Sequence, residues 1–337
     1  MIIRKDNLAS LLDAASQAQT VYVPVEGNGT TFFAPYEPAM LATPEAADAQ
    51  LRLDLQNTQQ PPKELLFPAT EKMFRWKRHE GELAIEAVEA ASEPFVIFGA
   101  RPCDADAIER LDQVFLTKGY VDEYYEARRN AATIVVLACR SAAPTCFCSS
   151  MGGAPDGTTC ADVLLREGDD IYSVEALTDK GTALVDAWAP HLAEGEVDAP
   201  VPELALQVNM EGVADKLNGM FDDPLWQEVS DSCITCGTCT FVCPTCYCFD
   251  ISQDRRADEG SRFRCWDSCM FTDYTLMAGG HNPRATKQSR VRQRFMHKLC
   301  YFEERYGESL CVGCGRCIVD CPAAVDISLI IDRIGAE

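Results

Sequence analysis

The sequence predicts an α+β protein, with a mixed α/β domain over residues 1–221 and a mainly helical domain over residues 222–337. Three observations predict it. Short apolar runs alternate with helically spaced segments through the first part, the order that favours layered strands and helices. Residues 190–206, PHLAEGEVDAPVPELAL, are rich in Ala, Glu and Pro and read as a surface connection. Beyond Asp222–Pro224 cysteines crowd the chain, and the stretches FTDYTLMAGG and RVRQRFMHKLCYFEERYG between them look helical.

The elements follow in order. DNLASLLDAASQA at 6–18 reads as a short amphipathic helix with an Asp start signal. VYVPV at 21–25 reads as a strand, and ELLFPATEKMFRWK as a strand with a turn into a charged surface. FVIFG at 95–99 is a buried-strand run that ends at Arg101–Pro102–Cys103–Asp104, and ADAIERLDQVFL continues with helical spacing. TIVVLA at 133–138 is a second buried run and delivers Cys139 at its end. DIYSVEAL followed by DKGTALVDAWAP repeats the strand-then-helix order.

The cysteines carry the chemistry. Cys233, Cys236, Cys239 and Cys243, with Pro244 behind them, recur as Cys311, Cys314, Cys317 and Cys321 with Pro322 behind them. This twice-written C-x2-C-x2-C-x3-C-P run is the thiolate spacing that holds cubane iron–sulfur clusters, in which the fourth cysteine ligates the other cluster. The expected ligation is therefore crossed. One 4Fe-4S cluster takes Cys233, Cys236, Cys239 and Cys321, and the second takes Cys311, Cys314, Cys317 and Cys243. A zinc site normally uses two separated C-x2-C pairs and has no use for a third and fourth cysteine at these spacings. Gly237 and Gly315 keep each loop slim and leave backbone N–H groups free to point at sulfur. The two runs lie far apart in sequence and their flanks do not match, so the second domain is expected to be a helical two-cluster domain of ferredoxin type rather than a compact ferredoxin sandwich.

Composition excludes several classes. The chain has 337 residues and 18 cysteines, and its first residues show neither a long apolar core nor a small-residue cleavage site. Thiols that bind metal in a reducing, cytoplasmic compartment are expected rather than disulfides. No stretch approaches the length of an apolar membrane span. The net charge of −22 is uneven, with 17 basic and 37 acidic residues in 1–225 against 13 and 15 in 226–337. An acidic surface of this kind lacks the basic footprint of a nucleic-acid binder. Neither G-x-G-x-x-G nor G-x4-GK-[ST] occurs, so no nucleotide or flavin site is expected in this chain.

Taken together the motifs resemble a known family. The ordered set is RPCD-x-x-AI at 101–108, CFC-x-SMG at 146–152, CPTC-x-C at 243–248, W-D-S-C at 266–269, AGGHN at 278–282 and CVGCGRC at 311–317. It resembles the 4Fe-4S dicluster electron-transfer subunits of anaerobic sulfite reductase and of soluble cytoplasmic sulfhydrogenases, in the latter the beta subunit, over nearly the whole chain. The resemblance implies an electron-transfer subunit of a soluble heteromeric oxidoreductase. Its implied partners are a separate catalytic subunit that handles sulfite or hydrogen, together with a flavin/NAD(P)-binding subunit. Cys265 and Cys300 fall outside the family pattern and have no assigned role.

Other cysteines form two further groups. Cys103 and Cys139 sit at the ends of expected strands, and Cys146 and Cys148 sit in the loop TCFCSS. Strand ends on one sheet edge converge, so these four are the expected ligands of a third cubane cluster, with Cys160 close enough to substitute for one of them. Buried packing thiols and a zinc site are the competing readings. Cys246, Cys248 and Cys269, with Cys265 near, are read either as packing around the clusters or as ligands of a further cluster completed by His281 or a partner residue. A redox-active C-x-C dithiol is a third option. His281–Lys298 carries six Lys or Arg residues, read by default as a solvated helix face, and otherwise as charge that favours cluster reduction or docks an acidic partner. His79 and His191 read as surface residues. Trp226 and Trp266 flank cluster cysteines as shields or as core.

The functional expectation is a relay subunit without substrate chemistry of its own. Two alternatives compete with it. One is a catalytic redox subunit whose extra cysteines form an active-site cluster or reducible disulfide. The other is a zinc-stapled assembly scaffold.

Overall fold

The computed structural model describes residues 1–41 and 49–336. Continuous apolar runs become the centre of an eight-stranded sheet, as expected for strands covered on both faces. The chain supplies β1 (Ile2–Arg4), α1 (Leu8–Ala18), β2 (Thr20–Gly27), β3 (Thr30–Pro35), β4 (Gln50–Leu51), α2 (Lys63–Leu66), β5 (Thr70–His79) and β6 (Glu82–Ala87). It continues with β7 (Phe95–Ala100), α3 (Pro102–Leu116), α4 (Glu123–Ala131), β8 (Ala132–Leu137), β9 (Val163–Glu167), β10 (Ile171–Ala176) and α5 (Asp179–Trp188). The large sheet runs β1-β10-β9-β8-β7-β2-β3, with β4 also paired to β2. Its centre, β9-β8-β7-β2, is parallel, and the flanking pairs are antiparallel.

Period-two alternation divides this centre between two cores. Val96 and Phe98 of β7 and Val135 and Leu137 of β8 pack with Leu11 and Leu12 of α1 and Leu184 and Trp188 of α5. Phe95, Ile97, Ile134 and Val136 face the opposite way, onto Ile108, Leu111 and Phe115 of α3 and Tyr125 of α4. The result is a three-layer α/β unit. Its parallel strands β7 and β8 are neighbours, so their carboxyl ends open at one edge, where ligand-binding loops of such sheets collect.

The later part continues with α6 (Val213–Gly219), α7 (Leu225–Ser232), α8 (Thr238–Phe241), β11 (Phe249–Arg256), β12 (Glu259–Trp266), α9 (Lys287–Met296), a π turn (His297–Tyr301), α10 (Phe302–Tyr306), α11 (Arg316–Val319) and α12 (Ile327–Ala336). Leu217, Trp226, Phe295, Leu299, Ile331 and Ile334 form a core contributed by helices α6, α7, α9 and α12 and the π turn. Trp226 is fully buried there, and its Nε1–H donates to the Met220 carbonyl at 2.6 Å.

Three sequence expectations need correction. ELL of ELLFPATEKMFRWK is a short helix, with the strand starting only at Thr70. FTDYTLMAGG holds a single 3-10 turn, Asp273–Thr275, followed by a tight turn closed by Gly280 N–H on the Met277 carbonyl. The later part is mixed rather than mainly helical, because β11 and β12 form a hairpin within it. That hairpin joins β5 and β6 in a second sheet of order β11-β12-β5-β6, which spans residue 221. Its alternating charged residues hide the hairpin from a search for apolar runs: most of β11 is exposed.

A buried ion network ties the second sheet to the first unit. Arg264 on β12 donates from Nε to Glu71 on β5 at 2.6 Å, and it pairs with Asp122 at the start of α4. Glu71 also pairs with Arg128 of α4. Arg264 and Glu71 are both nearly inaccessible, so breaking their pair strands a desolvated charge. Arg264→Met is expected to lower stability by about 3 kcal/mol, read as a fall in the denaturation midpoint of the anaerobically purified chain.

Candidate metal centres

Each cysteine run folds the same way because each carries the same punctuation. Gly237 and Gly315 follow the second cysteine of their runs with φ of +79° and +75°, a left-handed backbone that suits glycine. Each opens a four-residue helix, α8 or α11, and these two helices pack together. Space is as tight as the dihedral is special. A Cβ on Gly315 would lie 2.5 Å from Thr145 Oγ1 and 2.6 Å from the Thr145 carbonyl oxygen.

Cys233, Cys236, Cys239 and Cys321 line one cavity, together with Met270, Val291, Arg294 and Phe295. Three come from the first run and one from the second. Backbone N–H groups of Thr235 and Val325 reach Cys233 and Cys321 sulfurs at 3.4 and 3.2 Å. Cys311, Cys314 and Cys317 gather about Cys243 of the first run. Burial pushes the Cys314 and Cys317 thiols up to about 11, and both face Cys243. Cys311 is likewise raised by burial and faces Cys314 and Cys243.

The N-terminal group meets at the edge described above. Cys103 lies in the first turn of α3, just beyond β7, and Cys139 lies two residues beyond β8. Cys146 and Cys148 close the space from the following loop, and all four line one cavity. Gly313 and Cys314 of the second run form part of the same wall. Burial raises the Cys139 thiol to about 11 and Cys148 to about 12. Cys160 is not in this wall; its sulfur lies 3.8 Å from Asp112 Oδ2 and faces Arg129.

Donor chemistry discriminates between candidate groups. Thiols held up by burial do not ionise side by side unless a cation holds them, and a coordinating metal deprotonates them outright. Each C-terminal run supplies a third cysteine and a fourth before Pro, a donor set that a zinc site does not use. Thiolates at the corners of a cubane stand farther apart than ligands around one ion. The donors of the two C-terminal runs therefore fit iron–sulfur clusters.

The remaining cysteines lie elsewhere. Cys248 is brought down to about 6, chiefly by the Cys269 thiol and also by Tyr274, and Cys246 contacts Cys243. None of these three lines either cavity. Cys265 pairs with Asp250 across the hairpin. Cys300 is buried with its sulfur 3.3 Å from Asn218 Oδ1. His281 is exposed, as is His79, and His191 is half-buried.

Several buried cations were not recognised from sequence. Arg290, Arg294 and Lys298 are buried, so His281–Lys298 is not a solvated helix face. Their i, i+4 spacing, beside Val291, Phe295 and Leu299, was the signal that could have found them, because it sets them along the buried stripe. Lys63 is buried as well; its Nζ donates to the carbonyls of Cys243 and Cys246 at 2.8 and 3.0 Å and lies 4.2 Å over the Trp266 ring. Arg316, between Gly315 and Cys317, pairs with Asp104 at 2.8 Å and faces Cys314 and Cys103.

Comparison with known proteins agrees with this chemistry. A family model described as a 4Fe-4S dicluster domain matches residues 232–325. Sulfhydrogenase 2 subunit beta of Pyrococcus furiosus is 34% identical over 300 residues, covering 85% of this chain and 86% of that one. No solved structure matches.

Gly313 shows how closely the two halves meet. Its φ is +64°, and a Cβ there would lie 2.5 Å from the Phe147 carbonyl carbon. Gly313→Ala is expected to force the Cys146–Cys148 loop off the second run. Iron bound per chain, measured with acid-labile sulfide after anaerobic purification, should fall below that of the unmodified chain.

Proposed function

Since the chain belongs to the family of sulfhydrogenase beta subunits, we propose that it is the iron–sulfur relay subunit of a soluble, cytoplasmic, heteromeric oxidoreductase. It holds three 4Fe-4S clusters and connects a flavin/NAD(P)-binding subunit with a catalytic subunit. Cys233, Cys236, Cys239 and Cys321 hold one cluster; Cys311, Cys314, Cys317 and Cys243 hold the second; Cys103, Cys139, Cys146 and Cys148 hold the third. When bound, such clusters supply one-electron transfer at potentials set by charge, hydrogen bonds and exposure.

One observation carries this reading. Cys314, a ligand of the second set, stands in the wall of the cavity lined by the N-terminal four, so one residue touches two ligand groups. The first run meets the second through the crossed residues Cys243 and Cys321. These contacts support an order of N-terminal group, second run, first run for the three donor sets. Cys236 and neighbouring Ile234 are exposed at the far end, while Trp226 and Phe295 stack behind the first-run cavity and keep water from it. The role this supports for the residues is to order and insulate the donor sets.

The three-cluster reading expects about twelve irons per chain after anaerobic purification. Replacing Cys146 and Cys148 together by Ser should remove about four of them, and an unchanged iron content would rule out the N-terminal cluster. Cys314→Ser should abolish electron flow through the assembled complex while the partner subunits still co-purify; normal flow would refute the assignment of the second run.

A further inference from the structure

Three cations lie buried against the C-terminal cysteines, and none has a carboxylate partner among the described residues. Arg294 is 5% exposed and lines the cavity of Cys233, Cys236, Cys239 and Cys321. Its Nε finds no hydrogen-bond partner among the described residues. The thiols nearest it in charge interaction are Cys239 of one ligand set, Cys317 and Cys243 of the other, and Cys246. Lys298, 2% exposed, donates to Thr245 Oγ1 at 2.7 Å and faces Cys243, Cys246 and Cys311. Lys63 donates to backbone carbonyls and faces Cys246, Cys243 and Cys248. A buried charge left unpaired is strongly unfavourable, and thiolates that hold a net-negative group in these cavities are the counter-charge on hand.

The N-terminal cavity is surrounded differently. Two cations face it: Arg101 toward Cys139, and Arg316 toward Cys103 and Cys146. Arg316 is already neutralised by Asp104, with both side chains 1% exposed. Two further carboxylates stand close, Asp106 toward Cys148 and Asp156 toward Cys139. Arg110 stands beside Asp106 in turn, so the cations at this end are matched by carboxylates, whereas the three cations at the other end meet thiols instead.

Positive charge beside a redox group favours its more negative, reduced form, and carboxylates oppose it. On the basis of the relay proposed above, we infer that buried charge grades the chain: the C-terminal cluster pair sits at a higher reduction potential than the N-terminal cluster, with Arg294 as a positioning residue for that difference. Electrons then run downhill from the Cys103–Cys148 end toward the Cys233–Cys239 end.

The test is a redox titration of the anaerobically purified full chain, followed by electron paramagnetic resonance. The N-terminal signal is assigned as the one missing from the Cys146→Ser, Cys148→Ser double variant. It should emerge at a more negative potential than the other two. Arg294→Gln should move the C-terminal pair negative by a factor of ten or more in the one-electron equilibrium, which is 59 mV, and move the N-terminal signal by less than half as much. Arg294→Lys, which keeps the charge, should restore most of the shift. If Arg294→Gln does not load clusters, Lys298→Met is read in the same way. An N-terminal signal at the higher potential, or a C-terminal pair that stays in place in a fully loaded neutral variant, overturns the gradient. Absence of all cluster signals from the unmodified chain refutes the relay itself.

Discussion

Backbone pressed on backbone, where Gly313–Gly315 meets the Thr145–Cys148 loop, is the contact on which the rest of the molecule depends. Phe147 N–H donates to the Gly313 carbonyl at 2.9 Å, and neither Gly313 nor Gly315 leaves room for a Cβ. Polar bonds lock the junction from the side. Asn57 donates to the Cys314 carbonyl at 2.9 Å, Arg316 Nε to the Thr58 carbonyl at 2.5 Å, and Arg316 pairs with Asp104 in complete burial. This approach brings Gly313 and Cys314 of the second run into the wall of the cavity lined by Cys103, Cys139, Cys146 and Cys148.

A second junction works through charge rather than close approach. The hairpin of β11 and β12 leaves the cysteine-rich part and completes a sheet with β5 and β6. The Arg264, Glu71, Asp122 and Arg128 network lies beneath it, and the aromatic rings of Phe67 and Phe115 cover Arg264. Such a network adds little net stability over apolar packing, yet it fixes partners, because any shift leaves a desolvated charge behind. The two junctions together tie the cysteine-rich part to the N-terminal unit.

Helix α9 and the π turn after it bring function and folding into the same stripe. Val291, Phe295 and Leu299 fill the helical core, while Arg294 on the same helix lines the cavity of Cys233, Cys236, Cys239 and Cys321 and Lys298 donates to Thr245 Oγ1. Wide π turns are frequent at functional sites, and this one contains buried Lys298. His297, at its start, meets the Tyr247 hydroxyl at 2.9 Å, and burial holds its imidazole down to about 4. The stripe therefore carries its positive charge on Arg and Lys and not on His at neutral pH.

Legible in the sequence alone were the identity and local spacing of the thiols, the buried strands β7 and β8 that end beside Cys103 and Cys139, and the helix α3 that follows β7. These are properties of a few consecutive residues: a ligand spacing, an apolar run, a glycine after a cysteine. Long-range packing set the rest: Cys314 stands in the wall of the N-terminal cavity, Cys160 stays out of it, and charged, exposed β11 is a strand. It alone turned Lys63, Arg294 and Lys298 inward. The reason is physical: a charge run or a charged alternation has the same local pattern whether it meets water or sulfur. Its surroundings come from residues as distant in the chain as Asp104 is from Arg316, which no local spacing records.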